Sequence, residues 1–449
     1  METLQFKYAA GRLTRIFLCL IFLSGGRVLA QEAGTYRLSL QDAISIAKSQ
    51  NSLVKAALSE EDASLADYKD AKNAALPSIL ASSSYQRFTK LTLFDDGLSK
   101  SHSVPKYPSA NGADANLSAS FNLYSGGRQR ALESEQSFKK DLAGVNTKEQ
   151  SANTGLQVAA QYLGVVRLND QKRFIEEQVV RAETRVKNIT ALYNNQKVTR
   201  SDLLRADLQL SSVKLNLEQT ENDITISNQK LNVLLNLPDS TMITVADSAN
   251  MPRPVVDTLL SLVTIAPKNA FAVNRLGENI NIQNARIKSL NSNYSPVISL
   301  YSAYGLSYPN TIFFPPVDQA YSIGFVGLKI QYNLSSRYQN KNKVSAGKIR
   351  LEELHYVQKN INDNVRQEAG SLLIKYREAL NRISVNEKSI EQARVNYKIV
   401  SAKYYNQLAL LTDLLDADNL YQESKFNLVQ SQTSALFIYY QLLYTSGKL

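Results

Sequence analysis

The chain has little with which to do chemistry. Among its 449 residues there are one cysteine and two histidines. The cysteine, Cys19, lies in an apolar N-terminal segment with apolar residues continuing on both sides. That setting excludes a disulfide framework and thiol chemistry in the rest of the chain, and it is a poor one for a lipid-bearing cysteine. His102 and His355 are far apart and have no ligand cluster beside them, so no metal site is expected. Beyond the N-terminus no stretch has 18 consecutive apolar residues, and no spanning helix is expected there. Any passage through a membrane has to be made by a β-barrel. Gly126-Gly127 invites comparison with a phosphate loop, but the further glycine and the lysine–serine pair are missing. The two glycines read instead as a turn from strand to helix. With no catalytic constellation either, the expectation is a protein that is not an enzyme and needs no cofactor.

The N-terminus has the three parts of a secretory signal. Lys7, Arg12 and Arg15 are a positive region, Ile16 to Leu23 a short apolar core, and Val28-Leu29-Ala30 a small-residue cleavage site. Residues 1–30 are therefore expected to be a signal peptide cut after Ala30, the alternative being a retained anchor. The formal charge is +11. Lys7, Arg12, Arg15 and Arg27 against Glu2 account for a net +3 of it, leaving about +8. The remaining basic residues are interspersed with acids and form no cluster, which argues against nucleic acid.

The chain is written twice. Tyr193 to Leu217 (YNNQKVTRSDLLRADLQLSSVKLNL) and Tyr404 to Leu428 (YYNQLALLTDLLDADNLYQESKFNL) share eleven of 25 positions without a gap. Weaker matches follow in the same order: AALPSILASSSY from Ala74 with NYSPVISLYSAY from Asn293, and FNLYSGGR from Phe121 with IQYNLSSR from Ile330. Each copy reads helix, strand, loop, strand, very long helix, short break, second helix. The first repeat is assigned to residues 31–236, with its strand pair at 79–124. The second runs over 261–449, with strands at 296–334. A segment at 237–260 links them, its Pro238, Pro252 and Pro254 stopping any helix.

The helices carry a seven-residue pattern. Leu203, Ala206, Leu210, Val213, Leu217, Thr220, Ile224, Ser227, Leu231 and Leu234 step by three and four, as do Ile175, Val179, Ala182, Val186, Ile189 and Tyr193. This period is that of coiled-coil packing. No proline interrupts 128–194, which predicts a helix about 100 Å long at 1.5 Å per residue, and 337–406 is similar. The strands alternate instead. Ala115, Leu117, Ala119, Phe121 and Leu123 share one face of the second strand. Ile298, Leu300, Tyr304, Leu306 and Tyr308 share one face of the third, and Val326, Leu328, Ile330, Tyr332 and Leu334 one face of the fourth. Segments of this kind mark barrel strands in an outer membrane, although a half-buried sheet in a soluble domain alternates too.

Four strands cannot close a barrel, and open edges in lipid leave unpaired backbone groups that cost several kcal/mol each. Other copies must complete it. Two copies leave little lumen, whereas three give twelve strands with room for solute; the pattern itself demands an oligomer without fixing three.

The duplicated order, FNLYSGGR, and the paired segments beginning at Tyr193 and Tyr404 together resemble the TolC family of outer-membrane efflux channels, from about Tyr36 to the C-terminus. The resemblance implies a mainly α protein with a membrane β part. Three subunits would form a 12-stranded β-barrel in outer-membrane lipid and a 12-helix α-barrel in the periplasm. It also implies an export function, as a passive gated conduit for efflux or type I secretion. The partners would be a periplasmic adaptor (a membrane fusion protein) and an inner-membrane transporter of RND or ABC type. A coiled-coil tether or scaffold of the envelope is the alternative; it explains the heptads but not the symmetric strand pairs. A soluble periplasmic enzyme ranks behind both.

Site expectations concentrate at the breaks between the paired helices. Asp413 and Asp416 match two aspartates that form pore-narrowing rings in the family; the bland reading is that Thr412 caps the helix and the aspartates favour its positive end. Tyr404 and Asp202 match a tyrosine and an aspartate of the family's closed-state latch, but Ala409 stands where the latch has an arginine. Arg200 or Arg205 could pair with Asp413 or Asp416 in its place. Solute is expected to enter at these breaks and to leave past loops near 95–114 and 309–319.

Overall fold

The computed structural model describes residues 35–449. The assigned signal peptide at 1–30 lies outside them.

Two very long helices organise the molecule. The chain runs through a short strand β1 (Thr35–Leu38), helices α1 (Leu40–Gln50) and α2 (Ser52–Asn73), and then strands β2 (Ser78–Arg87), β3 (Leu91–Phe94), β4 (Ser101–Val104) and β5 (Asn111–Tyr124). The first long helix, α3 (Arg128–Asn194), has the 67 residues expected, and α4 (Arg200–Leu235) returns along it. The chain then passes through the linking segment, which holds a short strand β6 (Met242–Val245). It continues with α5 (Val256–Asn269), α6 (Phe271–Ser292), β7 (Val297–Tyr308) and β8 (Tyr321–Gln331). A single turn α7 (Ser336–Gln339) leads to the second long helix α8 (Lys341–Tyr405), and α9 (Leu411–Thr445) returns along it.

The heptads face where coiled-coil packing requires. On α4 every position from Leu203 to Leu234 named above is buried or half-buried; on α3 the pattern holds from Ile175 to Ile189 and ends at Tyr193, which is exposed. The two long helices have different neighbours at their two ends. Towards the strands α3 packs against α2 and α6, and α8 against α6. Towards the breaks α3 lies between α4 and α9, and α9 lies between α3 and α8. The stretch Val256–Ser292 has the length and hydropathy of a spanning helix. It is broken at Ala270 into α5 and α6, and Leu259, Leu262 and Ala266 of α5 are buried in a core with Leu372, Tyr376 and Leu442.

Between the two ends a belt closes the waist. β1 pairs in parallel with β6, from Thr35↔Met242 to Leu38↔Val245, tying the start of the first repeat to the segment after it. Tyr162, fully buried in α3, donates its hydroxyl to the carbonyl of Leu38 at 2.8 Å. Tyr376, fully buried in α8, donates to the carbonyl of Pro254 at 2.6 Å. The Tyr162 hydroxyl also lies 2.9 Å from the Asp247 carboxylate, so each long helix is pinned at mid-length to the linker, and 237–260 is structured rather than a plain spacer, containing β6 and the start of α5.

The four longer strands form one antiparallel sheet in the order β2-β5-β7-β8. Its register aligns the apolar positions across all four strands. Ala81 pairs with Leu117, Leu117 with Tyr304, Phe121 with Leu300, and Leu300 with Leu328. The opposite face carries Ser82, Asn116, Gly305 and Ile323 in one row and Ser120, Tyr301 and Gly327 in another. One side of the sheet is therefore apolar and the other mostly polar, and β2 and β8 have unpaired outer edges within the chain.

Two expectations need correction here. The first hairpin loop is not irregular over 95–114, because β3 and β4 extend it as a further ladder and β5 begins at Asn111. The fourth strand stops at Gln331, so Tyr332 and Leu334 do not belong to its face. The cause is local: Asn333 accepts hydrogen bonds from the Ser335 N–H at 3.1 Å and the Ser335 hydroxyl at 2.7 Å, turning the chain into α7. The matching turn of the first repeat needs no extra helical turn, because Gly126 and Gly127 take φ of 62° and 79° and lead straight into α3. A Cβ on Gly126 would lie 2.5 Å from that of Ser295, so glycine is required there on two counts.

Candidate functional site

The two helical breaks have the same backbone. Each long helix ends at an Asn-Gln pair: Asn195 and Asn406 cap α3 and α8, and Gln196 and Gln407 follow at φ of 59° and 61°. Both asparagines donate their side-chain amides back to helix carbonyls, Asn195 to Ala191 at 2.7 Å and Asn406 to Ala402 at 2.8 Å. After three intervening residues the next helix starts, with an aspartate at its third position.

The chemistry laid on this backbone differs. At the first break Thr199 is the N-cap and Asp202 completes a capping box, accepting from the Thr199 N–H at 3.1 Å and hydroxyl at 2.8 Å. At the second break the N-cap is Leu410, and only the Asp413 carboxylate serves the helix end, accepting from the Leu410 N–H at 3.0 Å. Thr412 is therefore not the cap, since α9 already begins at Leu411 and Thr412 sits inside its first turn. Asp413 and Asp416 are both exposed one turn apart, and Arg200 and Arg205 on α4 are exposed as well. Among the described residues no ion pair joins either arginine to either aspartate.

The latch pair is brought near but not bonded. Tyr404 is 6% exposed, packed in an apolar cluster with Ile189, Ala206, Leu411, Leu414 and Leu415, against which Ala409 also rests. Its hydroxyl is buried without a hydrogen-bond partner. Burial, helped by the nearby Asp202 charge, pushes its pKa up to about 12, so it stays a neutral donor. Asp202 is occupied by its own cap, and the position of the missing arginine is filled by a methyl group.

Sequence reasoning missed the strongest polar contacts of this region. Asp418, 2% exposed, receives the Arg181 Nε at 2.9 Å and an Arg185 terminal nitrogen at 2.5 Å, and Arg185 is itself 3% exposed. Arg181 also donates to Gln422 Oε1 at 3.2 Å, and Lys425 reaches Glu177 at 2.5 Å. A signal was present: Asp418, Gln422 and Lys425 continue the three-and-four spacing of Leu411, Leu414 and Leu415 towards Val429, so polar residues occupy seam positions.

Residues 43–237 match the family described as outer membrane efflux protein. A comparison with curated proteins finds no match. Among solved structures the chain is similar to the outer membrane protein VceC of Vibrio cholerae, at 15% identity and a TM-score of 0.76, covering 91% of this chain and 96% of that one. It is also similar to the CmeC outer membrane channel of Campylobacter jejuni (14%, TM-score 0.72, covering 91% and 85%). The open state of the Neisseria gonorrhoeae MtrE outer membrane channel gives 16% and 0.66, covering 91% and 88%. At these identities the likeness establishes the fold.

Proposed function

We propose that this chain, a member of the outer membrane efflux protein family through its domain at residues 43–237, is one subunit of a trimeric conduit. It is a protein of the outer membrane rather than an enzyme, and it extends into the periplasm. The observation that carries the reading is the sheet: four strands, apolar on one face and mostly polar on the other, with both outer edges unpaired. In lipid those edges must pair, and three copies closed edge to edge make a 12-stranded barrel with the polar face inward.

The helices support the same side-by-side association. Towards the breaks the lateral order is α4, α3, α9, α8, which leaves α4 and α8 as flanks. Exposed apolar residues line both, among them Leu208, Leu215 and Val233 on α4 and Ile374, Val385 and Ile399 on α8. Joined flank to flank, three copies make a 12-helix tube continuing the barrel, with Asp413 and Asp416 as stacked carboxylate rings at its narrow end. Arg200 and Arg205 then meet acidic partners between copies. The chain supplies no energy source, so export draws on an inner-membrane transporter of RND or ABC type through a periplasmic adaptor docked at the breaks.

Single-channel recording in a planar bilayer tests this, with wild type beside Asp413→Asn/Asp416→Asn. The expected result is small, cation-selective, divalent-sensitive currents that grow in the double variant. Unchanged currents would keep the channel and remove the aspartates from the gate. No insertion from well-folded protein would favour a coiled-coil tether.

A further inference from the structure

We infer that the floor of the barrel, where the strands pass into the long helices, binds anionic solutes in transit through Arg128, Lys329 and Lys343. The inference rests on the conduit reading, which turns the polar face of the sheet inward.

Basic and acidic residues are interspersed along most of the chain, but the fold sorts them here. Between Glu278 and Glu352 stand eight basic residues and a single acid, Asp318. That acid lies in the β7–β8 loop, at the end of the sheet away from the helices. Lys343 of this stretch and Arg128 of the first repeat line one cavity of about 330 Å³, with Ser295 and Asn333 among their neighbours and no acid. The cavity borders the polar face, because Val297 and Gln331, paired directly across β7 and β8 on that face, line it too. Lys329 stands on the same face, in the row of Asn122 and Ser299.

The three cations are exposed, and among the described residues none of them makes an ion pair. The acids that follow on α3 are engaged elsewhere: Glu133 accepts from Gln129 at 3.0 Å, and Glu135 is held by Lys139 and Arg286. Asn333 commits its side-chain oxygen to Ser335, which leaves its amide N–H groups for the cavity. The cavity thus offers a guanidinium, an ammonium, an amide and a hydroxyl, the donor set that complements a carboxylate or phosphate group. Both long helices also start at this level, with no side-chain cap and no acid in the first turn. Cations at a helix N-terminus oppose the macrodipole, and an anion between them relieves the conflict. Three copies would set nine such cations around one floor, opposite in sign to the aspartate rings at the breaks.

A matched pair of variants tests the site. Arg128→Gln/Lys329→Gln/Lys343→Gln removes it, whereas Lys341→Gln/Lys348→Gln removes charge about 160° and 140° round α8 from Lys343, away from the cavity. Inorganic pyrophosphate titrated into the detergent-solubilised protein and followed by phosphorus NMR should bind the triple variant roughly tenfold more weakly than wild type. The double variant should bind it as wild type does. In planar bilayers at low salt, the permeability ratio of potassium to chloride should rise by roughly twofold or more in the triple variant and stay unchanged in the double. Equal pyrophosphate affinity in wild type and triple variant would overturn the site. An equal loss in the double variant would also overturn it, since the cations that matter would then face lipid headgroups rather than solute. Absence of current from folded wild type would instead overturn the conduit reading, and the titration would still judge whether these three residues bind an anion.

Discussion

The two breaks share one backbone and diverge in everything laid on it. Tyr193 and Tyr404 are matched residues in the duplicated segment, yet the first is exposed and the second buried. Leu203 is half-buried and its match Leu414 is 1% exposed. Asp207 is exposed, and its match Asp418 is buried under two arginines. The cause is position, not sequence: α4 flanks the chain and touches α3 alone among the long helices, whereas α9 lies between α3 and α8. Identical residues thus become surface in one copy and core in the other. In the proposed trimer the exposed copy is the one that a neighbouring subunit would cover.

Truncating the matched leucines tests that difference most sharply. Leu414→Ala should cost about 2–5 kcal/mol in unfolding experiments on the detergent-solubilised protein, and Leu203→Ala distinctly less. Equal losses would mean that the first break is covered as fully as the second in the assembly. The caps come next. Thr199→Ala should cost about 1 kcal/mol, while Leu410→Thr should gain a similar amount by giving the second break the capping box it lacks; amide exchange in the first turns of α4 and α9 measures both. Gln196→Gly and Gln407→Gly relieve the same left-handed strain and should stabilise their breaks equally, by under about 1 kcal/mol. Unequal gains would show that the shared backbone is held by different means in the two copies.

The smallest effect lies near the sheet and should leave the comparison untouched. Burial raises the pKa of Glu135, but hydrogen bonds from Lys139 and Arg286, each at 3.0 Å, outweigh it and hold the value below the ordinary glutamate range. A depressed carboxylate adds stability above its unfolded pKa, lost as pH falls through the folded one. Melting curves of wild type and Glu135→Gln should therefore differ by under about 1 kcal/mol at neutral pH and converge below roughly pH 4.

How much was legible in the sequence follows from the range of each signal. The 67-residue helix could be read because proline is absent and the 3.5-residue period persists. The faces of β5, β7 and β8 could be read because alternation runs for ten residues or so. The β1–β6 pair could not, since four-residue strands some two hundred positions apart leave no local pattern. Leu410 as a cap was obscured by Thr412, a better capping residue two places too late. The burial of Asp418 depends on which helix lies in the middle, and that is a property of packing order. Asp202 was read as a latch partner because its residue type fits, while its carboxylate is already spent on its own helix.

If the proposed barrel forms, the unpaired edges of β2 and β8 also impose an order of events on biogenesis. A lone copy cannot wait in the bilayer for its neighbours, since both rims of its sheet would face hydrocarbon with their hydrogen bonds unmade. The helical part has no such difficulty in water. On that reading copies would meet before or during insertion, and the yield of inserted protein should rise more steeply than linearly with its level of synthesis.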